Sequence, residues 1–125
     1  MSDFVAHALE LMTDLGNVRA RRMFGGHGIF QGDSMFALVI DDVLYLKANS
    51  ASREAFMARG LRPFTYAARG KTVSLQYYET PAEAWDDSAE MLKWARLALD
   101  AAQLAAGQQK PAPRPRRSAP EKRKR

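Results

Sequence analysis

Residues 19–31 read RARRMFGGHGIFQ, and this stretch decides how the chain builds its sheet. It places Gly25, Gly26 and Gly28 within four positions of a segment that otherwise has strand character. Glycine loses more backbone freedom on folding than any other residue, so three of them are unfavourable in a strand unless the geometry requires them. We predict a glycine bulge that bends one strand sharply. At least one of the three should have a positive φ or lie where a Cβ would collide.

Outward from this stretch, turn signals and alternating apolar residues predict an antiparallel sheet. Gly32-Asp33 is the first of the turns that divide residues 18–48 into three strands, and Gly70 divides residues 63–79 into two more. The short connections favour antiparallel pairing, because parallel strands need a much longer crossover.

Helical periodicity occurs at both ends of the chain and once in the middle. The apolar spacing predicts helices over residues 3–15, 52–59 and 88–106, with Asn49 or Ser50 as the cap of the second and a short turn near residues 81–85 before the last. A glycine follows each segment and is expected to end the helix: Gly16, Gly60 and Gly107. The fold prediction is therefore α+β, a two-layer sandwich of a five-stranded antiparallel sheet with N-terminal and C-terminal helices and one short middle helix.

The positive charge is concentrated at the C-terminal end. The chain of 125 residues has a net charge of +5, but residues 110–125 hold eight Lys or Arg against one acid, and residues 1–109 are net −2. We predict a folded domain over residues 1–106 and a disordered, proline-rich basic tail over residues 107–125. A solubilising role is one reading of the tail. The other is sequence-independent contact with nucleic-acid phosphates through its cations: Lys110, Arg114, Arg116, Arg117, Lys122, Arg123, Lys124 and Arg125.

The residue inventory argues against catalysis. The chain has no cysteine and two histidines, His7 and His27, which excludes thiolate chemistry and makes a multi-histidine metal site implausible. Serines such as Ser50 and Ser88 lack a nucleophile-elbow context and suit helix starts. We expect no enzymatic activity, no metal and no cofactor. No apolar run is long enough for a membrane span, and an N-terminus carrying Asp3 is unlike a signal peptide, so we expect a cytoplasmic protein without a membrane partner.

Basic side chains on the first predicted strand are one candidate binding surface. On a strand, Arg19 and Arg21 share a face and Arg22 points the other way. This group is either a solvated face or a surface for nucleic acid or an acidic partner. The alternation of the strands directs these aromatic side chains toward the core: Phe24, Phe30, Phe36, Tyr45 and Phe64. We therefore predict no exposed aromatic surface on which bases could stack.

A longer series of motifs resembles a known family. After the glycine stretch come MFALVI, a DD turn and VLYLK, then Pro63-Phe64-x-Tyr66, SLQYYE and the WAR of residues 94–96. In this order, over about residues 4–104, they resemble the N-terminal domain of the TfoX/Sxy family of bacterial competence regulators. Members usually carry a second, helical C-terminal domain, and this chain has the basic tail in that place.

The resemblance implies an α+β fold, similar to secretion-chaperone-type sandwiches, and a non-enzymatic regulatory role. It also implies a protein partner, for which the family suggests a transcription factor such as the cyclic-AMP receptor protein. We expect a monomer or a homodimer. The family-motif residues are expected to be structural or to form a partner surface: Arg22, Met23, Phe24, Gly25, Gly26 and Gly28.

These observations predict a regulatory or adaptor domain that acts through a protein partner, with a tail that adds non-specific affinity for DNA or RNA. Two alternatives remain open. One is a small-ligand-binding or enzymatic domain that uses the bend at Gly25–Gly28, and the other is nucleic-acid binding by the folded part itself.

Overall fold

The computed structural model describes residues 3–23 and 25–109. Within them the chain forms three α-helices and six β-strands. Two short 3₁₀ turns, Thr13–Leu15 and Ala82–Trp85, precede β1 and α3. In chain order the elements are α1 (Asp3–Leu11), β1 (Val18–Met23), β2 (Gly26–Gln31), β3 (Ser34–Ile40), β4 (Val43–Lys47), α2 (Arg53–Ala58), β5 (Pro63–Ala68), β6 (Lys71–Glu79) and α3 (Ser88–Gln109).

The strands of the described residues form one antiparallel sheet in the order β1-β2-β3-β4-β6-β5. The first four strands follow one another as a meander. The chain then leaves β4 through α2 and returns as the β5–β6 hairpin, whose second strand pairs with β4. The α+β sandwich is confirmed, with six strands where the sequence predicted five. The extra strand arises because Met23 pairs with Gly26, so the segment predicted as one bent strand is a tight hairpin.

The helices cover one face of the sheet. α3 packs across β3 and β4, and α1 packs against β1 and α3. Phe56 of α2 is fully buried, with its ring centroid 5.5 Å from that of Tyr78 on β6 and 5.0 Å from that of Trp94 on α3. The buried side chains of α3 recur at the spacing of one helix face: Met91, Trp94, Ala95, Ala98, Leu99 and Ala102.

The first helix is shorter than its apolar pattern predicts. α1 ends at Leu11, and a 3₁₀ turn completes the segment. The Thr13 hydroxyl donates to the Glu10 carbonyl oxygen at 2.8 Å, and such a bond competes with regular helix hydrogen bonding. Gly16 follows with a φ of +84°, as expected of a residue that ends a helical segment.

The last helix begins as predicted and ends later. The Asp87 side chain accepts a hydrogen bond from the Ala89 N–H at 2.9 Å, which caps the helix. The helix continues through Gly107 to Gln109, so the predicted end at Gly107 is wrong. The tail cations at residues 110–125 lie outside the described residues, and their predicted role remains a prediction. Among the helices described, none is both long and apolar enough to cross a membrane.

Candidate binding face of the sheet

The three glycines of the β1–β2 hairpin have separate structural reasons. Gly25 lies in the two-residue connection between the strands and has a φ of +75°. A Cβ on Gly26 would overlap the carbonyl oxygen of Val39. A Cβ on Gly28 would lie 2.6 Å from the Met23 sulfur and 2.7 Å from the Met35 sulfur. The expectation of positive φ or collision is confirmed, whereas the predicted glycine bulge is wrong because Gly25 belongs to a turn.

The same contacts argue against the alternative that a small ligand binds beside the backbone at Gly26 or Gly28. At Gly26 and Gly28 the space beside the backbone is occupied by a neighbouring strand and by methionine side chains, so it is not open to a ligand. The irregularity in this part of the sheet lies on β3. Ile29 pairs with Ala37 but Phe30 pairs with Met35, which leaves an extra residue in β3 between the two pairs.

One face of the sheet lies away from all three helices, and we call it the open face. Ile29, Val39 and Leu44 are buried in the core beneath the helices, so the residues that alternate with them point to the other side. The open face carries five aromatic rings: Phe30, Tyr45, Phe64, Tyr66 and Tyr77.

This placement corrects the sequence prediction for the aromatic residues. Phe36 is fully buried in the core, as expected. Phe30, Tyr45 and Phe64 were expected in the core, but they lie on the open face. Phe30 and Tyr45 are strand neighbours of buried core residues and so point the other way, and Phe64 contacts Tyr45. Phe24 lies outside the described residues. Of the five open-face rings, Tyr66 is exposed and Tyr77 is buried, and the other three are half-buried.

The rings of the open face are in contact with one another and with cations. The Tyr45 and Phe64 centroids are 5.1 Å apart, edge to face, and those of Phe64 and Tyr66 are 6.3 Å apart. The Arg19 guanidinium lies 5.1 Å from the Phe30 centroid, within cation–π range. Tyr66 is 44% exposed, so its ring is accessible to a ligand.

The open face is basic although residues 1–109 are net acidic. Its strand positions carry Arg19, Arg21, Lys47 and Lys71 against one acid, Glu79. As predicted, Arg22 lies on the opposite face from Arg19 and Arg21, because successive residues of β1 point to opposite sides of the sheet. The helices and the turns next to them carry many of the acids: Asp3, Glu10, Asp14, Glu83, Asp86, Asp87, Glu90 and Asp100.

A cleft of about 380 Å³ opens on this face beside the β3–β4 turn. The rings of Tyr45 and Phe64 line it, together with Arg62 and Glu79. The Arg62 guanidinium lies 3.3 Å from a Glu79 carboxylate oxygen, so the one acid of the open face already has a cationic partner. Asp41 lines the cleft as well, so the cleft combines aromatic walls with one cation and two acids.

Burial raises the pKa of two phenols of the open face, those of Tyr77 and Tyr45. It raises the pKa of Tyr77 to about 12. The pKa of Tyr45 is also raised, first by burial and then by the nearby Glu79 carboxylate. Both hydroxyls are thus neutral hydrogen-bond donors near neutral pH. On the helix side, the hydrogen bond from Arg59 lowers the pKa of Glu83.

The two histidines occupy structural positions. His7 stacks on Trp85 with centroids 5.6 Å apart, and its Nδ1 is 4.0 Å from a Glu10 carboxylate oxygen. His27 lies on β2 opposite Val39. In the described part of the chain, no three His, Asp or Glu side chains group in a way that could hold a metal ion.

The described residues thus define a two-layer α+β domain with an acidic helix layer and an open, basic, ring-bearing sheet face. The chain belongs to the TfoX N-terminal domain family, whose family model matches residues 10–102. That match extends from the end of α1 into the last turns of α3 and includes the whole sheet. The resemblance inferred from the motifs is confirmed.

Two curated relatives support this membership. The chain is 30% identical over 93 residues to Protein Sxy from Escherichia coli (strain K12), a match that covers 74% of this chain and 44% of the relative. It is 26% identical over 104 residues to DNA transformation protein TfoX1 from Aliivibrio fischeri, covering 83% of this chain and 50% of the relative. The chain therefore spans about half the length of the curated relatives it matches.

Proposed function

We propose that this chain is a regulatory domain that acts in the cytoplasm by binding a protein partner at competence promoters, and not by catalysis. The match over residues 10–102 carries the proposal, because it relates the complete sheet and its helices to Sxy and to a protein named for DNA transformation. The family suggests a transcription factor, such as the cyclic-AMP receptor protein, as the partner. The proposal concerns the part of the relatives that this chain shares.

We place the partner contact on the helix side of the domain. A cleft of about 570 Å³ separates α3 from the β4–α2 connection, with Ala101 and Leu104 on one side and Asn49 and Ala51 on the other. The Leu104 side chain is 59% exposed at this cleft. Burying an exposed leucine against a partner removes apolar surface from water, which favours association.

The test uses cells that lack their own Sxy and carry a reporter gene under a competence promoter. Expression of the chain should raise reporter activity, and the rise should require the cyclic-AMP receptor protein. Leu104→Lys should lower the rise, because the leucine is replaced by a hydrated charge at the contact. The matched control is Met57→Lys, a similar change at a residue that is 56% exposed on α2. No rise from a chain that accumulates normally would reject the proposal.

The second part of the proposal concerns the basic tail. We expect the intact chain to bind duplex DNA weakly and without sequence preference, because phosphate contacts alone are sequence-independent. The plot of log binding constant against log salt should have a slope of roughly −3 to −6, since each neutralised phosphate contributes about −0.9 and the eight tail cations cannot all engage at once. Fluorescence anisotropy at several salt concentrations measures this slope.

Two variants test whether the tail is responsible for duplex binding: one lacks the tail, and the other lacks three of its arginines. A chain that ends at Gln109 should lose nearly all duplex binding. Changing Arg114, Arg116 and Arg117 to alanine should reduce the magnitude of the slope by about three. Strong duplex binding by the shortened chain at moderate salt would contradict the assignment to the tail, and absence of binding by the intact chain at low salt would leave the tail with a solubilising role.

A further inference from the structure

The open face of the sheet has the composition of a surface that receives a ligand from outside the domain. All three described helices pack on the opposite side of the sheet. Tyr66 and Leu75 nevertheless keep 44% and 36% of their surface exposed on β5 and β6. Large apolar side chains that remain exposed on a regular sheet are suited to stacking or packing against a partner.

The charges of the open face restrict what this partner can be. Arg19, Arg21, Lys47 and Lys71 all belong to it, and its one acid, Glu79, is already within 3.3 Å of Arg62. A second copy of the chain would bring the same four cations to the interface, and the basic tail would be repelled in the same way. A polyanion neutralises these cations, so charge complementarity favours a nucleic acid.

The rings determine which form of nucleic acid fits. Aromatic side chains bind nucleic acids by stacking on unpaired bases, whereas the bases of a duplex are already stacked on one another. The cleft of about 380 Å³ offers such a base an aromatic wall formed by Tyr45 and Phe64. Because Arg62 is already paired with Glu79, the phosphates are expected to contact the cations of the strands instead. Tyr66, 6.3 Å from Phe64 between centroids, extends the ring surface toward solvent.

We propose that the open face binds single-stranded DNA, through base stacking on its rings and phosphate contacts with its cations, and without sequence preference. No Asn or Gln occupies the open-face positions of the six described strands, so the amides that usually read base edges are absent there. Apart from the tyrosine hydroxyls and Glu79, these positions also offer little that would recognise a ribose 2′-hydroxyl. This activity uses a different surface from the tail and from the proposed partner cleft.

Binding of labelled oligo(dT) to the full chain tests the proposal, with an excess of unlabelled duplex DNA present to occupy the tail. We expect oligo(dT) to remain bound. Tyr66→Leu should weaken this binding at least about fivefold, because it keeps apolar surface and removes one stacking ring. Tyr66→Phe should retain the binding. Met57→Ala, an exposed apolar change on the helix side, should have no effect.

The neighbouring arginines Arg21 and Arg22 provide a matched test of the charges, since they are adjacent on β1 and point to opposite faces. Arg21→Gln should weaken oligo(dT) binding and reduce the magnitude of its salt slope by about 0.7, the value for one phosphate on a single strand. Arg22→Gln should change both much less. Thermal unfolding of each variant establishes that it is folded.

Five outcomes would overturn the proposal. Complete displacement of oligo(dT) by duplex DNA would assign the binding to the tail. Equal effects of Arg21→Gln and Arg22→Gln, or no effect of Tyr66→Leu in a folded protein, would remove the open face from the contact. Binding of an oligo(U) ribonucleotide tenfold tighter than oligo(dT) would assign the face to RNA. A dimer in sedimentation experiments that Tyr66→Leu dissociates would assign it to a second copy of the chain.

Discussion

Replacing Phe56 by alanine should lower the free energy of unfolding by about 3–5 kcal/mol, the usual range for deletion of a buried aromatic side chain. Phe56 is fully buried, and its ring contacts those of Tyr78 on β6 and Trp94 on α3. It therefore joins the short helix α2 to both layers of the fold. The cavity left by the substitution would not readily close, because Tyr78 and Trp94 are held on β6 and on α3.

Denaturant unfolding of the full chain measures this change. The matched control is Met57→Ala, because Met57 is the next residue of the same helix and is 56% exposed. It should change the free energy of unfolding by no more than about 0.5 kcal/mol, the usual range for surface substitutions. A cost below about 1 kcal/mol for Phe56→Ala would mean that α2 contributes little to the core.

Replacing Gly26 by alanine should destabilise the protein by about 2–3 kcal/mol, as other overpacked core positions do. The added Cβ would overlap the backbone carbonyl oxygen of Val39 on β3 and would lie 2.9 Å from the end of the Ile40 side chain. A side chain can rotate away from such a contact, but a backbone carbonyl in a sheet can move only if the strands separate.

Gly28→Ala is the matched comparison, because there the added Cβ would meet side chains and not backbone. A Cβ at Gly28 would meet the sulfur atoms of Met23 and Met35, which belong to long and flexible side chains. We expect a smaller cost than at Gly26, about 1 kcal/mol. Thermal or denaturant unfolding of the two variants gives the order directly. A larger cost at Gly28 than at Gly26, or full tolerance of alanine at both, would contradict the close approach of β2 and β3 at Gly26.

The stability tests and the binding tests concern different sides of the sheet. Phe56 lies beneath the helices, whereas Tyr66 and Arg21 lie on the open face. Changes on the open face should therefore alter ligand binding with little effect on unfolding. Separate responses of this kind are expected where a rigid sheet supports a binding surface that does not contribute to the core.

Much of the local structure could be predicted because its causes are local. The apolar spacing of α3 and the cap formed by Asp87 are contained within a few consecutive residues. The opposite orientations of Arg21 and Arg22 follow from the two-residue period of any strand. The motif order from the glycine hairpin to Trp94 was also sufficient to recognise the family over most of the chain.

The predictions that failed had local causes in some places and contacts between distant segments in others. Gly25 could belong to a bulge or to a turn, and pairing of Met23 with Gly26 decided for the turn. For the candidate site, the sequence located Arg19 and Arg21 but not the rings beside them. Alternation divides Ile29 from Phe30, but both are apolar, and nothing in the pattern says which of them the helices will cover.

The sequence by itself therefore determined the positions of the helices, most of the turns, the segregation of charge into the last sixteen residues and the family. Only the tertiary structure decided that β6 lies between β4 and β5 and that α1, α2 and α3 share one face of the sheet. The physical reason is that helix periodicity and turn geometry arise within a few residues, whereas the choice of covered face is made when distant elements pack together. That choice buried Phe36 and left Tyr66 exposed beside the cations of the open face.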